Sequence, residues 1–350
     1  MPDSRISLLP RSKPGTDRGF ATLWRRRGVF AWLLLPFSLC FAMLVALRRA
    51  LYSRGWLKTH RLPVPVVVIG NLTVGGAGKT PLLLHLAETL RARGLRPGIL
   101  SRGHGGRNDG VMAVTADSDP VLAGDEPVLL ARRSGCPLFV GRDRAAAGRA
   151  LLAAHSECNL ILSDDGLQHY RLARDLEIAV FDSRGAMNGW LLPAGPLREP
   201  LSRLAEVDAV VLNDVFAVSP APTFSCPVFR MTLGGELFYR LDQPDIVCRA
   251  AELQGRRLHA IAGIGAPERF FDTLAALGLE CVVHPFPDHH GYRREELLFS
   301  ADALLTTEKD AVKLTALDLP LPVWVLPVTA DVNPDLAAFI LEKLNGSSPA

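Results

Sequence analysis

Residues 66–81 read VVVIGNLTVGGAGKTP, an apolar run followed by a glycine-rich loop that ends in Gly-Lys-Thr. The apolar run predicts a buried parallel strand, and the residues after the loop predict a helix near Pro81, since proline is tolerated in a first helical turn. A strand, a glycine-rich loop and a helix start together form a phosphate-binding loop (P-loop) for a nucleoside triphosphate. This stretch predicts an α/β protein with a P-loop NTPase-like parallel sheet flanked by helices.

The loop residues have separate expected roles. Lys79 is expected to reach the β- and γ-phosphates, and the Thr80 hydroxyl to ligate Mg²⁺. Thr73 occupies the position of the first glycine in the strict pattern G-x-x-x-x-G-K-[ST], so the match is incomplete. The residues predicted to bind the nucleotide are Thr73, Val74, Gly75, Gly76, Ala77, Gly78, Lys79 and Thr80.

Residues 28–47 form an uncharged apolar run with arginines on both sides. About 20 such residues are enough for a helix to cross a bilayer. A helix in the membrane interface is the alternative, because flanking arginines give no inside–outside asymmetry and Pro36 would kink a spanning helix. A buried core helix of this length without charge is uncommon. We predict a membrane-associated helix over 21–55, after a polar, disordered segment over 1–20.

Length and composition limit the function classes. A chain of 350 residues with a net charge of +3 fits one large domain with an appendage, or two domains, and gives no indication of nucleic-acid binding. Its six cysteines lack C-x-x-C spacing and are interpreted as reduced thiols, and no zinc pattern is present.

The order of apolar runs predicts the domain organisation. Strand-like and helical patterns alternate over 56–219, as in βαβ units, and predict the P-loop core. Residues 220–257 are rich in Pro, Gly and aromatics and predict a β-rich connector, and 258–345 predict a smaller C-terminal α/β lobe. A cleft between the two α/β units is the expected active site.

An acidic pair follows the predicted buried strand 159–163. Asp164 and Asp165 would lie at the carboxyl end of a parallel strand, beside the P-loop of a doubly wound sheet. One of the two carboxylates is expected to hold Mg²⁺, directly or through water, together with Thr80. A plain Asp-Asp turn is the alternative interpretation.

Phosphoryl transfer to a hydroxyl also needs a proton acceptor and positive charge around the phosphoryl group. Asp125, in GDEP, is a candidate base but could equally be a helix N-cap. The cluster Asp288-His289-His290, in FPDHHGY, places an acid beside histidines on a loop and is a candidate for catalysis, although such loop histidines are more often structural or exposed. Arg198 and Glu199, in LREP, are polar groups near a predicted strand end, where an arginine could pair with phosphate or lie on the surface.

Eight motifs follow one another in a fixed order: GNLTVGGAGKTP, SRGHGG, GDEP, VGRDR, SDDGLQH, LLPAGPLREP, FPDHHGY and TTEKDAVK. The set, preceded by an apolar helix, closely resembles the tetraacyldisaccharide 4'-kinase (lipid A 4'-kinase) family over about residues 56–326. The core over 56–219 would then be a P-loop kinase core. His104 stands where many relatives have a tyrosine.

The resemblance implies a lipid kinase that moves the γ-phosphate of ATP to the 4'-hydroxyl of tetraacyldisaccharide 1-phosphate and forms lipid IVA in lipid A (lipopolysaccharide) biosynthesis. It implies ATP and Mg²⁺ as cofactors, the lipid and the membrane surface as partners, and a catalytic domain on the cytoplasmic face of the inner membrane. A substrate with four acyl chains agrees with the apolar segment, because its sugar lies at the bilayer surface.

The resemblance also implies roles for individual residues. By position, Asp125 matches the general base and His289 the histidine that pairs with it. Lys79 and Thr80 match the P-loop pair. The remaining matches are the Mg²⁺-associated pair Asp164 and Asp165, and the polar cleft residues Arg198 and Glu199.

Two other functions are considered. A membrane-recruited nucleotide switch, an ATPase or GTPase acting on a protein partner, has no need of the GDEP and PDHH groups. TTEKDAVK does not match the N-K-x-D motif expected of a GTPase. A soluble small-metabolite kinase leaves the apolar N-terminal segment unexplained.

Overall fold

The structure, a computed structural model, describes residues 24–213 and 224–346. The disordered segment predicted over 1–20 lies outside the described residues. The helices are α1 Val29–Ser53, α2 Lys79–Ala92, α3 Pro120–Ala123, α4 Asp125–Ser134, α5 Arg144–Ala154, α6 Ala250–Leu253, α7 Pro267–Ala276, α8 Glu308–Leu314 and α9 Leu336–Gly346, with 3₁₀ turns at Leu201–Ala205 and Arg294–Leu297. The strands are β1 Val66–Gly70, β2 Pro97–Ser101, β3 Met112–Val114, β4 Leu138–Val140, β5 Leu160–Asp164, β6 Leu176–Asp182, β7 Ala209–Asn213, β8 Val228–Gly234, β9 Leu237–Arg240, β10 Val247–Arg249, β11 Leu258–Ala262, β12 Cys281–Pro285, β13 Ala303–Thr307, β14 Val323–Leu326 and β15 Thr329–Asn333.

The P-loop strand β1 lies inside the larger sheet. Within the described ranges, the strand order is β15-β8-β7-β6-β1-β5-β2-β4-β3. Strands β2, β4, β5, β6, β7 and β8 run parallel to β1, and β3 and β15 are antiparallel at the two edges. All residues of β1, β5 and β6 are buried, as expected where helices cover both faces of a parallel sheet.

Helices cover both faces of the larger sheet. Apolar residues of α2, α4 and α9 pack in the core on one face, and those of α5 pack on the other. Helix α2 begins at Lys79, directly after the glycine-rich loop, so the loop connects the carboxyl end of β1 to the helix N-terminus. This is the strand–loop–helix arrangement that the opening stretch of sequence predicts.

The smaller sheet has the order β10-β9-β14-β13-β11-β12. Strands β11 to β14 are parallel to one another, and β9 pairs antiparallel with β14 and with β10. Helix α8 follows β13 and packs against α4 of the larger lobe. The guanidinium of Arg133, in α4, pairs there with Glu308, which is buried.

Sheet membership differs from the predicted domain bounds at two places. The predicted connector over 220–257 is divided, because β8 extends the larger sheet whereas β9 and β10 belong to the smaller one. The predicted C-terminal lobe over 258–345 does not keep its last elements. Strand β15 pairs with β8, and α9 packs on α2 through the buried side chains of Leu336 and Ile340, so the chain returns to the larger lobe.

Helix α1 is held against the larger lobe by a buried serine. The Ser38 hydroxyl donates to the Leu191 carbonyl and accepts from the Ala194 amide, both at 2.9 Å. The indole rings of Trp32 and Trp190 pack edge to face with centroids 4.9 Å apart. A small polar residue within an apolar helix thus supplies the hydrogen bonds of a loop that has no regular secondary structure.

We predict that Ser38→Ala loosens this docking. The substitution leaves the buried Ala194 amide without its hydrogen-bond acceptor, which costs about 1–3 kcal/mol, whereas the Leu191 carbonyl still accepts from the Gly195 amide. Amide hydrogen exchange across residues 29–53 and 188–195 is expected to accelerate. Ser53→Ala is the matched control, because the Ser53 hydroxyl is exposed and contacts only the Ala50 carbonyl of its own helix. Equal exchange in both variants would contradict the prediction.

Candidate active site

The P-loop is held by two asparagines that follow or end buried strands. The Asn71 amide donates to the Gly75 carbonyl at 3.0 Å, and its Oδ1 accepts from Lys79 Nζ at 3.1 Å. Asn213, the last residue of β7, donates to the Ala77 carbonyl at 3.1 Å. Gly78 has φ +91°, and a Cβ at this position would lie 2.4 Å from Asn213 Nδ2. Glycine is therefore required there by both conformation and space.

Thr73, which replaces the first glycine of the strict P-loop pattern, lies in extended backbone. It forms an isolated antiparallel bridge with Leu197 and is only 5% exposed. The neighbouring Val74 amide donates to the Pro196 carbonyl at 2.9 Å. Because this part of the loop is paired with another segment, it needs no glycine conformation. The LLPAGPLREP motif is thereby aligned with the P-loop.

Asp164 ends β5 and has one carboxylate oxygen available. Its Oδ2 accepts from Ser101 Oγ at 3.1 Å, whereas Oδ1 is buried and has no hydrogen-bond partner among the described residues. The side chain is 4% exposed. Burial, reinforced by the charge of Glu126, raises the pKa of Asp164 to about 6. A buried, unsatisfied carboxylate oxygen is suited to a cation or a cation-bound water.

Asp165 is in the opposite electrostatic situation. Its carboxylate accepts from Arg198 Nη1 at 2.9 and 3.1 Å and lies 3.5 Å from Lys79 Nζ. Burial acts against ionisation, but the charges of Lys79 and Arg198 lower the pKa of Asp165 to about 2. Its φ of +45° is in the left-handed region, which is uncommon for a residue with a side chain. The two adjacent carboxylates therefore have different protonation behaviour.

The residues present fit a magnesium ion shared with phosphate oxygens. The unpartnered oxygen of Asp164 and the Thr80 hydroxyl, in the first turn of α2, are oxygen donors of the kind that Mg²⁺ prefers. Within the described ranges, no group of three or more His, Cys, Asp or Glu residues is arranged to hold a metal ion. Asp165 is already engaged by two cations, so Asp164 is the better candidate ligand.

Asp125 and His289 meet although they are 164 residues apart in the chain. Asp125 is the first residue of α4, and its carboxylate oxygens lie 3.0 and 3.1 Å from His289 Nδ1. Gly124, not Asp125, occupies the N-cap position, so the capping interpretation is not supported. His289, in the loop after β12, has φ +59°. The contact joins the two lobes.

The electrostatics of this pair favour an ionised carboxylate. Burial opposes ionisation of Asp125, but the hydrogen bond from His289 and the charge of Lys309 keep the pKa of its carboxyl below the ordinary value. The same hydrogen bond raises the pKa of His289. The N-terminus of α4 adds a favourable partial positive charge. Asp125 is thus available as a proton acceptor at neutral pH.

Glu199 does not contact Asp125 or His289 in the structure. It is 1% exposed and accepts hydrogen bonds from Gln168 Nε2, at 3.1 Å, and from the Tyr170 hydroxyl. Burial raises its pKa. Arg198, the preceding residue, points to Asp165 instead. The two adjacent residues Arg198 and Glu199 therefore contact different side chains.

Sequence reasoning missed several polar residues that support the site. Arg184 Nη2 donates to the Gly76 carbonyl at 2.6 Å, and its Nε donates to Asp182 at 2.7 Å. Lys309, within the TTEKDAVK motif, contacts His289 Nε2 at 3.2 Å. A common signal was present in the sequence, because a polar residue follows or ends each of five buried strands near the P-loop: Asn71, Ser101, Asp164, Asp182 and Asn213.

The site has two parts. Lys79, Asp165 and Arg198 form a charged group beside the P-loop, and Asp125 and His289 form a carboxylate–imidazole pair. Glu126, next to Asp125, is close enough to act on Asp164, which connects the parts. The fold and this arrangement define a P-loop protein with a candidate general base next to the phosphate-binding region.

Comparison with known proteins agrees with this class. A sequence model of the tetraacyldisaccharide-1-P 4'-kinase family matches residues 30–345. The tetraacyldisaccharide 4'-kinase of Dechloromonas aromatica is 56% identical over 93% of this chain and 96% of its own length, and that of Azoarcus is 53% identical over 93% and 95%. This chain belongs to the tetraacyldisaccharide-1-P 4'-kinase family.

A solved structure supports the fold. The crystal structure of LpxK from Aquifex aeolicus in complex with ATP has a TM-score of 0.78 and 32% sequence identity, covering 90% of this chain and 99% of that chain. The family resemblance inferred from the eight motifs and the predicted α/β fold with a large parallel sheet are confirmed. The roles assigned to single residues stay predictions.

We predict opposite effects on stability for the two aspartates. Asp164→Asn is expected to raise the free energy of unfolding by about 1–3 kcal/mol at pH 8, because the ionised carboxylate is unfavourable in the fold. A raised pKa favours the folded state below the ordinary pKa, and this stability is lost as the pH rises through about 6. The advantage of the variant should therefore vanish at acid pH.

Asp165→Asn is the matched control. Its lowered pKa contributes stability that is present above the ordinary pKa and is lost as the pH falls towards about 2. This variant should be less stable than the unmodified protein at neutral pH. Denaturant unfolding in the presence of a chelator, at several pH values, measures both effects. Two variants that shift stability in the same direction would contradict the assignment.

Proposed function

We propose that this protein is a lipid kinase that transfers the γ-phosphate of ATP to the 4'-hydroxyl of tetraacyldisaccharide 1-phosphate, which forms lipid IVA in lipid A biosynthesis. The observation that carries the proposal is the Asp125–His289 pair, at 3.0 Å, near a P-loop in a chain of this family. Relatives more than 50% identical are named for the 4'-kinase activity, and the similar Aquifex structure is a complex with ATP.

The P-loop supports the binding of ATP. Gly75 and Gly78 have positive φ angles, which allow the backbone amides of the loop to face phosphate oxygens. Lys79 lies at the start of α2, and its ammonium contacts the side chains of Asn71 and Asp165 in the structure. With ATP bound, this ammonium would pair with the phosphates. Mg²⁺ held by Thr80 and Asp164 would neutralise phosphate charge and orient the γ-phosphate.

Asp125 serves as the general base. It accepts the proton of the 4'-hydroxyl as the hydroxyl oxygen attacks the γ-phosphorus, and the bond to the β-phosphate oxygen breaks. His289 holds the carboxylate in one orientation through Nδ1 and disperses its charge. Because Asp125 comes from the larger lobe and His289 from the smaller one, the relative position of the lobes sets the geometry of the pair.

Arg198 supplies positive charge for the transferring phosphoryl group. Its guanidinium now neutralises Asp165, which Lys79 also approaches. Two cations on one carboxylate leave excess positive charge for an incoming phosphate. Glu199 accepts hydrogen bonds from Tyr170 and Gln168. It is therefore better placed to hold the segment that carries Arg198 than to take part in the chemistry.

A nucleotide switch is the competing function. A switch would hydrolyse ATP or GTP without an acceptor hydroxyl, so it would have no use for a buried base formed between two lobes. The two functions differ in product. A kinase labels the lipid with the γ-phosphate, whereas a switch releases it as inorganic phosphate.

We predict that purified protein, ATP labelled at the γ-phosphate, Mg²⁺ and tetraacyldisaccharide 1-phosphate give a labelled lipid with two phosphates. Asp125→Asn should lower kcat by about 10²–10⁴-fold, because the base acts in the transition state. ATP binding, measured by calorimetry, should be nearly unchanged. Asp117→Asn, an exposed aspartate outside the site, is the control. Release of phosphate without lipid labelling would favour the switch.

Helix α1 supports the proposal that the protein binds a membrane. This helix is long and apolar enough to cross a membrane, and most of its residues are not buried against the rest of the protein. Its contacts with the larger lobe extend along its length, from Trp32 on Trp190, through Ser38, to Arg49 on Glu206 and Tyr52 beside Tyr170. Just before the helix, Arg27 donates to the Asn188 carbonyl. Phe30, Leu33 and Phe37 remain exposed, as do other large apolar side chains of the helix.

These contacts favour a helix that lies in the membrane interface. At about 1.5 Å per residue, α1 is about 37 Å long, and a helix that spans the bilayer would carry its docked lobe into the hydrocarbon. An interfacial helix instead puts its exposed apolar side chains among the lipids and keeps the lobe at the surface. We place the protein on the cytoplasmic face of the inner membrane, where ATP is present.

We predict that both ends of α1 lie on the same side of the membrane. In a Cys40→Ser background, Gly28→Cys and Ser53→Cys should both react with a membrane-impermeant maleimide in inside-out vesicles and neither in right-side-out vesicles. Cys40→Ser without an added cysteine is the control. Labelling of one end from each side would establish a spanning helix instead.

A further inference from the structure

The TTEKDAVK motif folds into β13 and α8 and reaches the Asp125–His289 pair from the smaller lobe. Thr307 caps α8 by accepting from the Asp310 amide at 3.2 Å, which sets the start of the helix. Lys309 and Lys313 are four residues apart and therefore lie on one face of α8. Since α8 packs against α4, this face is turned towards Asp125.

Lys309 contacts three polar side chains. Its Nζ lies 3.2 Å from His289 Nε2, 3.0 Å from Asp288 Oδ1 and 3.1 Å from Glu126 Oε1. The side chain is only 15% exposed. An ammonium group has three N–H donors and no acceptor, so these contacts use its full donor capacity.

These contacts determine which nitrogen of His289 carries the proton. Lys309 can only donate, so a neutral His289 must accept at Nε2 and keep its proton on Nδ1. The Nδ1–H group then donates to Asp125, which must be the ionised acceptor. Lysine, histidine and aspartate thus form a chain of hydrogen bonds that runs in one direction.

We propose that Lys309 is a positioning residue, which fixes the tautomer and ring orientation of His289 and so keeps Asp125 an ionised base. The inference rests on the proposed kinase function. Glu126 and Asp288 bind the other two donors of Lys309, and this fixes the ammonium relative to both lobes. Neither of these carboxylates is hydrogen-bonded to Nδ1 of His289.

Lys313 acts on the same pair more weakly. Its Nζ is 3.8 Å from Asp125 Oδ2 and 3.0 Å from Asp310, and it lies over the ring of Tyr292. It does not contact His289 in the structure, so it can influence the charge of Asp125 but not the tautomer of the imidazole. The two lysines therefore provide a matched comparison.

The charge of Lys309 also limits protonation of His289. The charged and titratable groups facing His289 are Asp125, Asp288, His104 and Lys309, while Glu126 and Lys313 face its partners. Burial acts against the ammonium form, but the surrounding carboxylates raise the pKa of Lys309, so it stays charged. A second proton on His289 would put two cations in contact and remove the acceptor at Nε2. Loss of Lys309 should therefore let His289 become imidazolium at higher pH.

The test compares Lys309→Met with Lys309→Arg in the lipid kinase assay from acid to alkaline pH. The methionine variant keeps the apolar stem but has no donor. Its kcat should fall by about 10- to 100-fold, and the acid limb of the pH–rate profile should move to higher pH. The arginine variant should recover part of the rate and the original profile. A lower rate with an unshifted profile in Lys309→Met would overturn the proposal.

A double-mutant cycle tests whether Lys309 acts through His289. In a His289→Ala background, Lys309→Met should cause little further loss, whereas independent effects would add. Imidazole ¹⁵N chemical shifts give a direct readout. His289 should be protonated on Nδ1 in the unmodified protein and in Lys313→Met, but not exclusively so in Lys309→Met. Additive losses or an unchanged tautomer would refute the role.

The failure of this inference can be told apart from failure of the proposed function. If the unmodified protein transfers no phosphate to the lipid, the kinase proposal fails, while the ¹⁵N shifts still report the tautomer. If the unmodified protein is active and the variants behave as structural defects, only the role of Lys309 is lost. Thermal unfolding of each variant separates loss of fold from loss of positioning.

Discussion

The hydrogen bond between Asp125 and His289 is the contact on which the site depends. Asp125 begins α4 in the larger lobe and His289 lies in the loop after β12 in the smaller lobe, so the bond forms only when the two lobes pack together. Around this bond the protein concentrates charges that are costly to bury singly but compensate one another, including Glu126, Asp288 and Lys309. The packing of α8 on α4 is thus a requirement of the site as well as a contact between lobes.

Backbone strain and unfavourable buried charge also concentrate in the candidate active site. Asp165 and His289 both adopt left-handed backbone, and Asp164 has a buried oxygen with no partner in the described part of the chain. Such features reduce stability and persist where the surrounding structure holds them. A cation bound beside Asp164 would relieve this cost, which would link the stability of the fold to occupancy of the site.

One segment connects the apolar helix to the P-loop. Ser38 of α1 binds Leu191 and Ala194, and a few residues later the Pro196 carbonyl accepts from Val74. Arg198 follows directly and reaches Asp165. Helix α1 is therefore joined through a short stretch of backbone to the arginine that, in the proposed function, would neutralise the transferred phosphate.

The sequence by itself determined the P-loop, the acidic pair after β5 and the apolar helix, because each is encoded within a few adjacent residues as a local pattern of polarity and glycine. It also indicated Asp125 and His289 as candidates through the family resemblance. Only the tertiary structure decided the contact geometry of these two residues, the pairing of Thr73 with Leu197, the different charge behaviour of Asp164 and Asp165, and the return of β15 to the larger sheet. Pairings between residues far apart in the chain depend on how the sheets pack and on burial, neither of which a local pattern of residues specifies.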